Sequence, residues 1–519
     1  MRASRFTAST GSGPDSCGRP TSSPRWWTRQ RPIGSRQDSP SSVPTACRSG
    51  AGQAVPTLPT KAGIGFSKWV TPSSSSHSIW EPRYITFPPG TRTRIPSSRD
   101  SPTRVGTASR QAGRTSVPAA TSTGTSLTGD GSMSSTIEAP QQATMYFDYQ
   151  ATTPVDTEVL NAMLPYFSVG FGNADSRHGH GQIAADAVTT AREQVAALLG
   201  AADPDEIVFS SGATESNAIA LRTLLSDGRG SHLITSSIEH PSILRLASEF
   251  ERQGGRVTLL RVDRYGQVDS AEVAAAIGPD TRLVSVMHAN NEIGTVQPIA
   301  EIGQICRAAG VPLHSDMTQT AGILPIDVEK FGVDLASLSA HKFYGPKGVG
   351  ALYIRESSGL RSQPGRREAG LRPGTLNVPG IVGLGRAALI SRLRKDADAT
   401  ESTALRSAFF DDLSRSIPEA ILNGHPQRRV PGNLSVSVPG VEMDEVLRRV
   451  PGLGLATGSA CTAGRTEPSH VLTAIGLSRR LSRATLRIGF GRGTRSQDCS
   501  ACLDTLVPLL IASRIKNLD

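Results

Sequence analysis

"SHLITSSIEHPSILRLASEFERQGG", residues 231–255, begins with an apolar run, continues with a short polar stretch and ends with apolar residues at helical spacing. The first part is typical of a buried strand and the last part of an amphipathic helix. A strand that ends in polar residues and leads directly into a helix indicates one unit of an α/β protein.

The same alternation recurs along the chain. Further strand-like runs are "EIVFS" (206–210), "RVTLLRVD" (256–263), "TRLVSVMHAN" (281–290), "VPLHSDM" (311–317), "DLASLSAHK" (334–342) and "GVGALYIR" (348–355), with helical patterns such as 298–309 between some of them. Near-continuous apolar strands joined by helices predict an α/β fold with a large, mostly parallel sheet covered by helices. After about residue 385 the pattern changes, and it predicts a smaller α+β domain.

These patterns predict the domain organisation of the chain. We expect residues 145–385 to form the large domain, with 145–170 contributing to the small domain, and residues 386–519 to form the small C-terminal domain. The amphipathic segment 156–167 and part of 176–199 are expected to join the small domain as well.

The first 132 residues have a different composition from the rest of the chain. They contain all four tryptophans, fifteen of the 35 prolines, and 17 Lys and Arg against 5 Asp and Glu, without a helical or strand period. They fit a disordered tail, an organelle transit peptide, or sequence upstream of a natural start at Met133. We expect 1–132 to be a disordered or non-native extension.

The formal net charge of +10 therefore belongs to the extension, because residues 133–519 contain 38 basic and 40 acidic residues. The basic residues are not interleaved with aromatic ones, so we expect neither a nucleic-acid partner nor a membrane partner. No apolar run is long enough to span a membrane, which favours a soluble, cytoplasmic protein. Six sparse cysteines predict no disulfide framework, and Cys499-x-x-Cys502 lacks the further ligands of a zinc site, so we expect no metal.

Polar residues follow five of the predicted strands. The stretches are "SSGATES" (210–216), "EHPS" (239–242), "HANNEIG" (288–294), "HSDMTQT" (314–320) and "SAHKFYGPKG" (339–348). Because ligands of open α/β sheets bind at the carboxyl ends of the strands, these stretches predict one site at the edge of the sheet.

Several of these residues point to a particular cofactor when they are considered together. The segment Gly212-Ala213-Thr214 is either an ordinary helix cap or a cradle for a phosphate at a helix N-terminus. Asp316 ends an apolar strand and needs a cationic partner, which a protonated ring nitrogen would supply. Lys342 lies between His341 and Phe343, where burial lowers the pKa of an amine and favours a Schiff base. A phosphate site, a carboxylate and a buried lysine together indicate pyridoxal 5'-phosphate.

Cys461 lies in "LATGSACTAG" (455–464), among small residues that offer no apolar core. Packing, a metal, a disulfide and chemistry on a mobile loop are the alternatives for such a cysteine. No partner residues for a metal or a disulfide are near it in sequence. Exposure next to a cationic site would favour the reactive thiolate.

The chain resembles the cysteine desulfurases of the NifS/IscS type, fold-type I pyridoxal phosphate enzymes of the class V aminotransferase family. The motifs that carry this resemblance, from Met145 to the C-terminus, are "YFDYQATTPVD", "SSGATESN", "EHPS", "NNEIGTVQPI", "HSDMTQT", "SAHKFYGPKGVGALY", "GLRPGTLNVPGIVGLG" and "GSACTAG" followed by "EPSHVLTAIGL". The extension has no counterpart in the family. The stretch "SQPGRREAGLRPGT" (362–375) departs from the family's Gly-rich "GGGQE", and "GNADSRHGHG" (172–181) departs from its "GNPSS-H".

The resemblance implies a role for each matching residue. It makes Lys342 the Schiff-base lysine, Asp316 the partner of the pyridine nitrogen and Cys461 the nucleophile. His240 corresponds to a histidine that stacks on the ring and assists proton transfer, and Gln319 to the partner of the phenolic oxygen. The remaining matches are phosphate-binding residues (Ala213, Thr214, Ser339, His341 and, from the other subunit of a homodimer, Thr375) and substrate-side residues (Asn291, which also borders the cofactor, and Arg487, which holds the substrate's carboxylate).

The function implied is conversion of L-cysteine to L-alanine, with the sulfur carried as a persulfide on Cys461 to an acceptor protein. An iron–sulfur scaffold, a tRNA thiolation enzyme or a DNA phosphorothioation system would fit as the acceptor. The rival interpretations are a selenocysteine lyase or another class V enzyme, and a catalytically impaired homologue that acts as a binding module.

Overall fold

The computed structural model describes residues 145–225, 230–360, 367–457 and 468–516, all within the compact unit Leu127–Asp519. The predictions for the extension 1–132 and for Cys461 lie outside these residues. In the described part of the chain, none of the helices could span a bilayer.

The main sheet has seven strands in the order β2-β8-β7-β6-β5-β3-β4. They are β2 (Ile207–Ser210), β3 (His232–Ser236), β4 (Arg256–Leu260), β5 (Thr281–Ser285), β6 (Leu313–Asp316), β7 (Leu335–Ser339) and β8 (Gly350–Ile354). Strands β3 to β7 pair in parallel, and only β8 runs antiparallel to both of its neighbours, β7 and β2. The predicted large, mostly parallel sheet is confirmed.

Successive side chains of a strand point to opposite faces of the sheet. Both faces of this sheet are apolar, and helices cover both of them. Ile207 and Phe209 of β2 lie in one apolar core, whereas Val208 between them lies in another. The helices that precede, cover or follow the sheet are α1 (Thr157–Met163), α2 (Pro165–Ser168), α3 (Gly179–Leu199), α4 (Ala213–Leu225), α5 (Pro241–Arg252), α6 (Ser270–Ala276), α7 (Ile299–Ala309), α8 (Val328–Phe331) and α9 (Val378–Ser416).

A second group of elements surrounds a four-stranded antiparallel sheet in the order β12-β13-β10-β9. Its strands are β9 (Ile421–Asn423), β10 (Asn433–Ser437), β12 (Ala456–Thr457) and β13 (Thr485–Gly489), and its helices are α10 (Met443–Arg448), α11 (His470–Ala474), α12 (Arg479–Arg483) and α13 (Ser496–Lys516). β1 (Met145–Tyr146) pairs in parallel with β11 (Leu453–Gly454). These two strands form a separate two-stranded sheet, and the residues after β1 bridge to β13 at Asp148 and Gly489. The N-terminal segment therefore passes the smaller sheet before it reaches the larger one.

This smaller sheet has its own apolar core, in which Phe147, Phe409 and Phe490 contact one another. Cys499 and Cys502 of α13 are buried in it, and burial raises the pKa of their thiols to about 11 and about 12. By contrast, the buried side chains of α1 and α3 pack in the core of the large sheet, not with the small one as the amphipathic patterns suggested. The domain boundaries themselves stay a prediction.

One buried ion pair fastens the segment before Thr375 to the large sheet. Glu368 and Ala369 both have left-handed backbone (φ +46° and +51°), a conformation that costs non-glycine residues about 1–2 kcal/mol each. The fully buried Glu368 carboxylate accepts hydrogen bonds from Arg192 at 2.7 Å and from the amide of Phe209. Arg192 also lies 4.7 Å above the ring of Phe209. The pair therefore holds a strained turn against β2.

We predict that Glu368→Ala lowers the free energy of unfolding by about 3 kcal/mol, because it leaves the Arg192 cation poorly compensated beside an apolar ring. Chemical denaturation of the variant and the wild type measures this difference. The matched control is Asp280→Ala, which removes the exposed, bidentate partner of Arg256 and should change stability little. Equal effects of the two substitutions would contradict the structural role of Glu368.

Candidate active site

A cavity of about 570 Å³ opens at the carboxyl edge of the large sheet. It is bounded by the ends of β2, β5, β6 and β7, by the N-terminal segment after β1, and by β13 of the smaller sheet. Ten of the predicted site residues line it: Ala213, Thr214, His240, Asn291, Asp316, Gln319, Ser339, His341, Lys342 and Arg487. These residues lie between positions 213 and 487 of the sequence, so tertiary folding brings them together.

Lys342 enters the cavity from a single helical turn, Ala340–Lys342, directly after β7. Its Nζ donates hydrogen bonds to the backbone carbonyls of Gln150, at 2.6 Å, and Ala151, at 3.0 Å. The N-terminal segment is in turn bonded to the lysine turn, because the amide of Thr153 donates to the carbonyl of His341 and that of Tyr344 donates to Thr153 Oγ1. The lysine turn and residues 150–153 are therefore positioned as one unit.

Asp316 is the last residue of β6, and its side chain is almost fully buried. Its Oδ2 accepts a hydrogen bond from Asn217 Nδ2 at 2.8 Å, and its Oδ1 accepts one from the amide of Thr318 at 3.0 Å. Gln319, one turn further on, donates to the carbonyl of Gln150 at 3.2 Å. A carboxylate that accepts two hydrogen bonds and borders a cavity is well suited to a cationic ring nitrogen.

His240 caps the N-terminus of α5. Its Nδ1 lies 3.2 Å from the amide nitrogen of Ser242 and 2.8 Å from Ser242 Oγ. Burial lowers the pKa of this imidazole. The nearby Asp316 carboxylate raises the pKa, and the Lys342 amine lowers it. The ring is therefore neutral near pH 7 and presents its other nitrogen, Nε2, away from the helix.

A buried carboxyl group precedes the histidine. Glu239 Oε1 accepts hydrogen bonds from Ser236 Oγ at 2.6 Å and from the amide of Met287 at 2.9 Å, and the Glu239 carbonyl lies 2.9 Å from His470 Nε2. Burial raises the pKa of Glu239 to about 8, although the two hydrogen bonds act in the opposite direction. Glu239 therefore stays protonated at neutral pH and adds no charge beside His240.

The part of the cavity lined by Ala213, Thr214 and His341 is suited to an anion. The first amides of a helix have no acceptor within the helix, and Ala213 and Thr214 begin the 13-residue α4. Gly350 of β8 permits a close approach here, because a Cβ on it would lie only 2.6 Å from the Cα of Gly212. Burial, together with Lys342 and Lys347, lowers the pKa of His341 to about 4, so this imidazole is a neutral hydrogen-bonding group.

Arg487 of β13 supplies a buried cation on the side of the smaller sheet. It is 2% exposed and donates to Asp148 Oδ1 at 2.7 Å and to the carbonyl of Asn291 at 3.2 Å. Within the described part of the chain, its Nε is buried without a hydrogen-bond partner. A guanidinium with donor capacity at the wall of a cavity is suited to bind a carboxylate.

These residues fit pyridoxal phosphate. The cavity is lined by a helix N-terminus, a buried carboxylate and an amine, which suit the phosphate, the ring nitrogen and the aldehyde of the cofactor. The hydroxyl of Thr318 borders the same cavity and, among the described residues, is buried without a partner. The donor set is therefore appropriate for a polar, anionic ligand of this kind.

One predicted site residue in the described part of the chain is not brought to this cavity. Thr375 is exposed and does not line it. Cys461 falls in 458–467, outside the described residues. Sequence reasoning assigned no role to Asn217, Asp148 or Glu239, although all three lie in the quoted motifs. The helical spacing of four residues between Ala213 and Asn217 places both on one face of α4, and this was the available signal.

Comparison with known proteins agrees with the fold and the cavity. The family model of the class-V aminotransferases matches residues 145–501, and the chain belongs to this family. A relative named cysteine desulfurase IscS, from Anaeromyxobacter dehalogenans (strain 2CP-C), is 49% identical over 361 residues, which are 68% of this chain and 89% of the relative.

Solved structures give the same result. A NifS-like protein is 36% identical with a TM-score of 0.66, covering 71% of this chain and 100% of its own. A structure of SspA in complex with cysteine is 38% identical with a TM-score of 0.57, covering 67% of this chain and 98% of its own. The resemblance to the cysteine desulfurases that the motifs indicated is confirmed.

The buried Glu239 predicts a particular pH dependence of stability. In the folded protein it keeps its proton up to about pH 8, whereas in the unfolded chain it loses it above about pH 4.5. Unfolding in this range releases a proton, so this group makes the wild type lose stability as the pH rises from about 4.5 to about 8. Glu239→Gln does not titrate, and its stability relative to the wild type should increase over that range in chemical denaturation.

The matched control for this prediction is Glu249→Gln, which replaces an exposed carboxylate. Its stability should follow the pH dependence of the wild type. The prediction fails if the Glu239→Gln curve also runs parallel to that of the wild type.

Proposed function

We propose that the protein is a pyridoxal phosphate-dependent cysteine desulfurase, which converts L-cysteine to L-alanine and carries the sulfur as a persulfide on Cys461. The observation that carries this proposal is the convergence of Lys342, Asp316, His240 and Arg487 on one cavity in a chain 49% identical to a named cysteine desulfurase. The cytoplasmic location, and an acceptor protein such as an iron–sulfur scaffold, stay predictions of the sequence.

In this proposal the residues of the cavity hold the cofactor at both ends. The amides of Ala213 and Thr214, with Ser339 and His341, would bind the phosphate, and Asp316 would bind the ring nitrogen. Gln319 would hold the phenolic oxygen, and His240 would contact the ring. When bound, pyridoxal phosphate supplies an electron sink for negative charge that develops at the substrate's α-carbon.

The remaining residues act on the substrate. Arg487 binds the carboxylate of L-cysteine, and Asn291, whose carbonyl holds Arg487, lies on the same side. Lys342 Nζ accepts the proton from the substrate's α-carbon, and the carbonyls of Gln150 and Ala151 orient it for this role. The neutral His240 leaves its Nε2 proton available for donation.

Cys461 takes the sulfur. Its thiolate attacks the sulfur of the substrate, a sulfur–sulfur bond forms, and the carbon–sulfur bond breaks with its electron pair left on the substrate's β-carbon. A proton added to that carbon and the return of the α-proton from Lys342 give alanine, and the persulfide on Cys461 passes to an acceptor. A thiolate suits this step because it is the nucleophilic form of cysteine.

We expect the full chain loaded with pyridoxal phosphate to release alanine from L-cysteine and to gain one sulfur atom on Cys461. Alanine analysis and peptide mass spectrometry measure the two products. Cys461→Ala should abolish persulfide formation and nearly all alanine release, whereas Cys499→Ala, which removes a cysteine buried in the small core, should retain both. Alanine release by Cys461→Ala at the wild-type rate would refute the desulfurase proposal.

A homodimer is the second part of the proposal. Six large apolar side chains between residues 160 and 183 are 46% to 74% exposed: Leu160, Leu164, Phe167, Val169, Phe171 and Ile183. An exposed apolar group of this kind is typical of a protein interface. The exposure of Thr375 outside its own cavity supports its expected role toward the other subunit's phosphate.

For the dimer, we expect Phe167→Asp with Phe171→Asp to convert the protein to monomers in sedimentation velocity, because each carboxylate would be buried in the interface. Leu259→Asp is the control, since Leu259 is also largely exposed, at 53%, but lies on the edge strand β4 of the main sheet. A double variant that sediments like the wild type would exclude this surface as the dimer interface.

A further inference from the structure

Three hydrogen bonds join Asp316 to His240 through two residues that carry no assigned role. Asn217 Nδ2 donates to Asp316 Oδ2 at 2.8 Å and to Ser242 Oγ at 3.0 Å, and Ser242 Oγ lies 2.8 Å from His240 Nδ1. Asn217 is fully buried, and Ser242 and Asp316 are 8% and 5% exposed. This series of hydrogen bonds connects α4, α5 and β6 at the cavity.

The direction of each hydrogen bond follows from the backbone. The amide of residue 242 can only donate, so His240 Nδ1, 3.2 Å away, is an acceptor and carries no proton. Ser242 Oγ must then donate its proton to Nδ1, and its lone pairs remain free to accept from Asn217. His240 therefore carries its proton on Nε2.

The orientation of Asn217 is fixed by the same argument. A carboxylate accepts and does not donate, so the amide nitrogen of Asn217, and not its oxygen, must face Asp316. Both N–H groups are then used, one for Asp316 and one for Ser242. The oxygen Oδ1 is buried without a partner among the described residues, which costs free energy. Stability alone does not account for this arrangement.

We propose that Asn217 is a positioning residue that holds Asp316 as a hydrogen-bond acceptor for the cofactor's ring nitrogen and, through Ser242, holds His240 with its proton on Nε2. The ring-nitrogen partner and the stacking histidine are then set by one side chain. The part that concerns the cofactor rests on the proposed function, whereas the protonation of His240 in the resting protein does not.

The test compares two probes, pyridoxal 5'-phosphate and its 1-deaza analogue, in which carbon replaces the ring nitrogen. Both keep the aldehyde and the phosphate, so only the contact with Asp316 differs. The affinities of the full chain, freed of cofactor and titrated with each probe, are measured for the wild type, Asn217→Leu and Asn217→Asp. We expect Asn217→Leu to weaken pyridoxal phosphate binding by about tenfold to a hundredfold, because the carboxylate loses a charge-assisted hydrogen bond. Binding of the analogue should change little.

Asn217→Asp keeps the shape of the side chain but places a second carboxyl group against Asp316. We expect it to weaken pyridoxal phosphate binding selectively as well, so the test does not depend on one variant. Ser242→Ala removes the link between Asn217 and His240 but keeps the hydrogen bond from Asn217 to Asp316, so it should leave the ratio of the two affinities unchanged. Ser315→Ala is the matched control, since this buried hydroxyl next to Asp316 has no partner in the described chain.

Equal loss of affinity for both probes in the Asn217 variants, or no loss, would overturn the proposal, because a merely structural role does not distinguish the probes. Nitrogen-15 NMR of the labelled wild type, with His240→Gln to assign the signal, should place the proton on Nε2. A proton on Nδ1 would also overturn it. A wild type that bound neither probe would instead contradict the proposed function.

Discussion

The rest of the site depends on how the Lys342 amine is held at the edge of the large sheet. Its bonds to the carbonyls of Gln150 and Ala151 require the N-terminal segment to run from the smaller sheet to the lysine turn. Phe147 holds one end of that segment in the core of the smaller sheet, and Asp148 bridges Gly489 of β13. Thr153 holds the other end at the lysine turn. The two sheets, each with its own apolar core, therefore position the Lys342 side chain together.

Charge in the cavity is controlled by burial as much as by pairing. Asp316 accepts hydrogen bonds from two donors, whereas burial raises the pKa of the neighbouring Glu239 and keeps it protonated. His240 and His341 are kept neutral for the same reason, since burial lowers the pKa of both rings. The permanent charges on the walls are thus placed where an anionic cofactor and an amino acid would need them.

Much of this arrangement could be predicted from local sequence. Parallel strands bring their carboxyl ends to one edge, so polar stretches after β2, β3, β5, β6 and β7 had to meet there, and Lys342 and Asp316 stood at the ends of apolar runs. Asn217 could not be assigned, because its role depends on a hydrogen bond to a residue 99 positions away. The pairing of Arg192 with Glu368 is likewise set by tertiary packing. The placement of α1 beside the large sheet also depends on packing, because an amphipathic pattern does not specify which core it faces.

The central claim is that Lys342 is the residue to which the cofactor becomes attached. Borohydride reduction of the full chain loaded with pyridoxal phosphate makes a lysine–cofactor bond permanent, and peptide mass spectrometry then locates it. The account predicts the pyridoxyl group on Lys342. Its appearance on the neighbouring Lys347, which also borders the cavity, or on no lysine, would contradict the account.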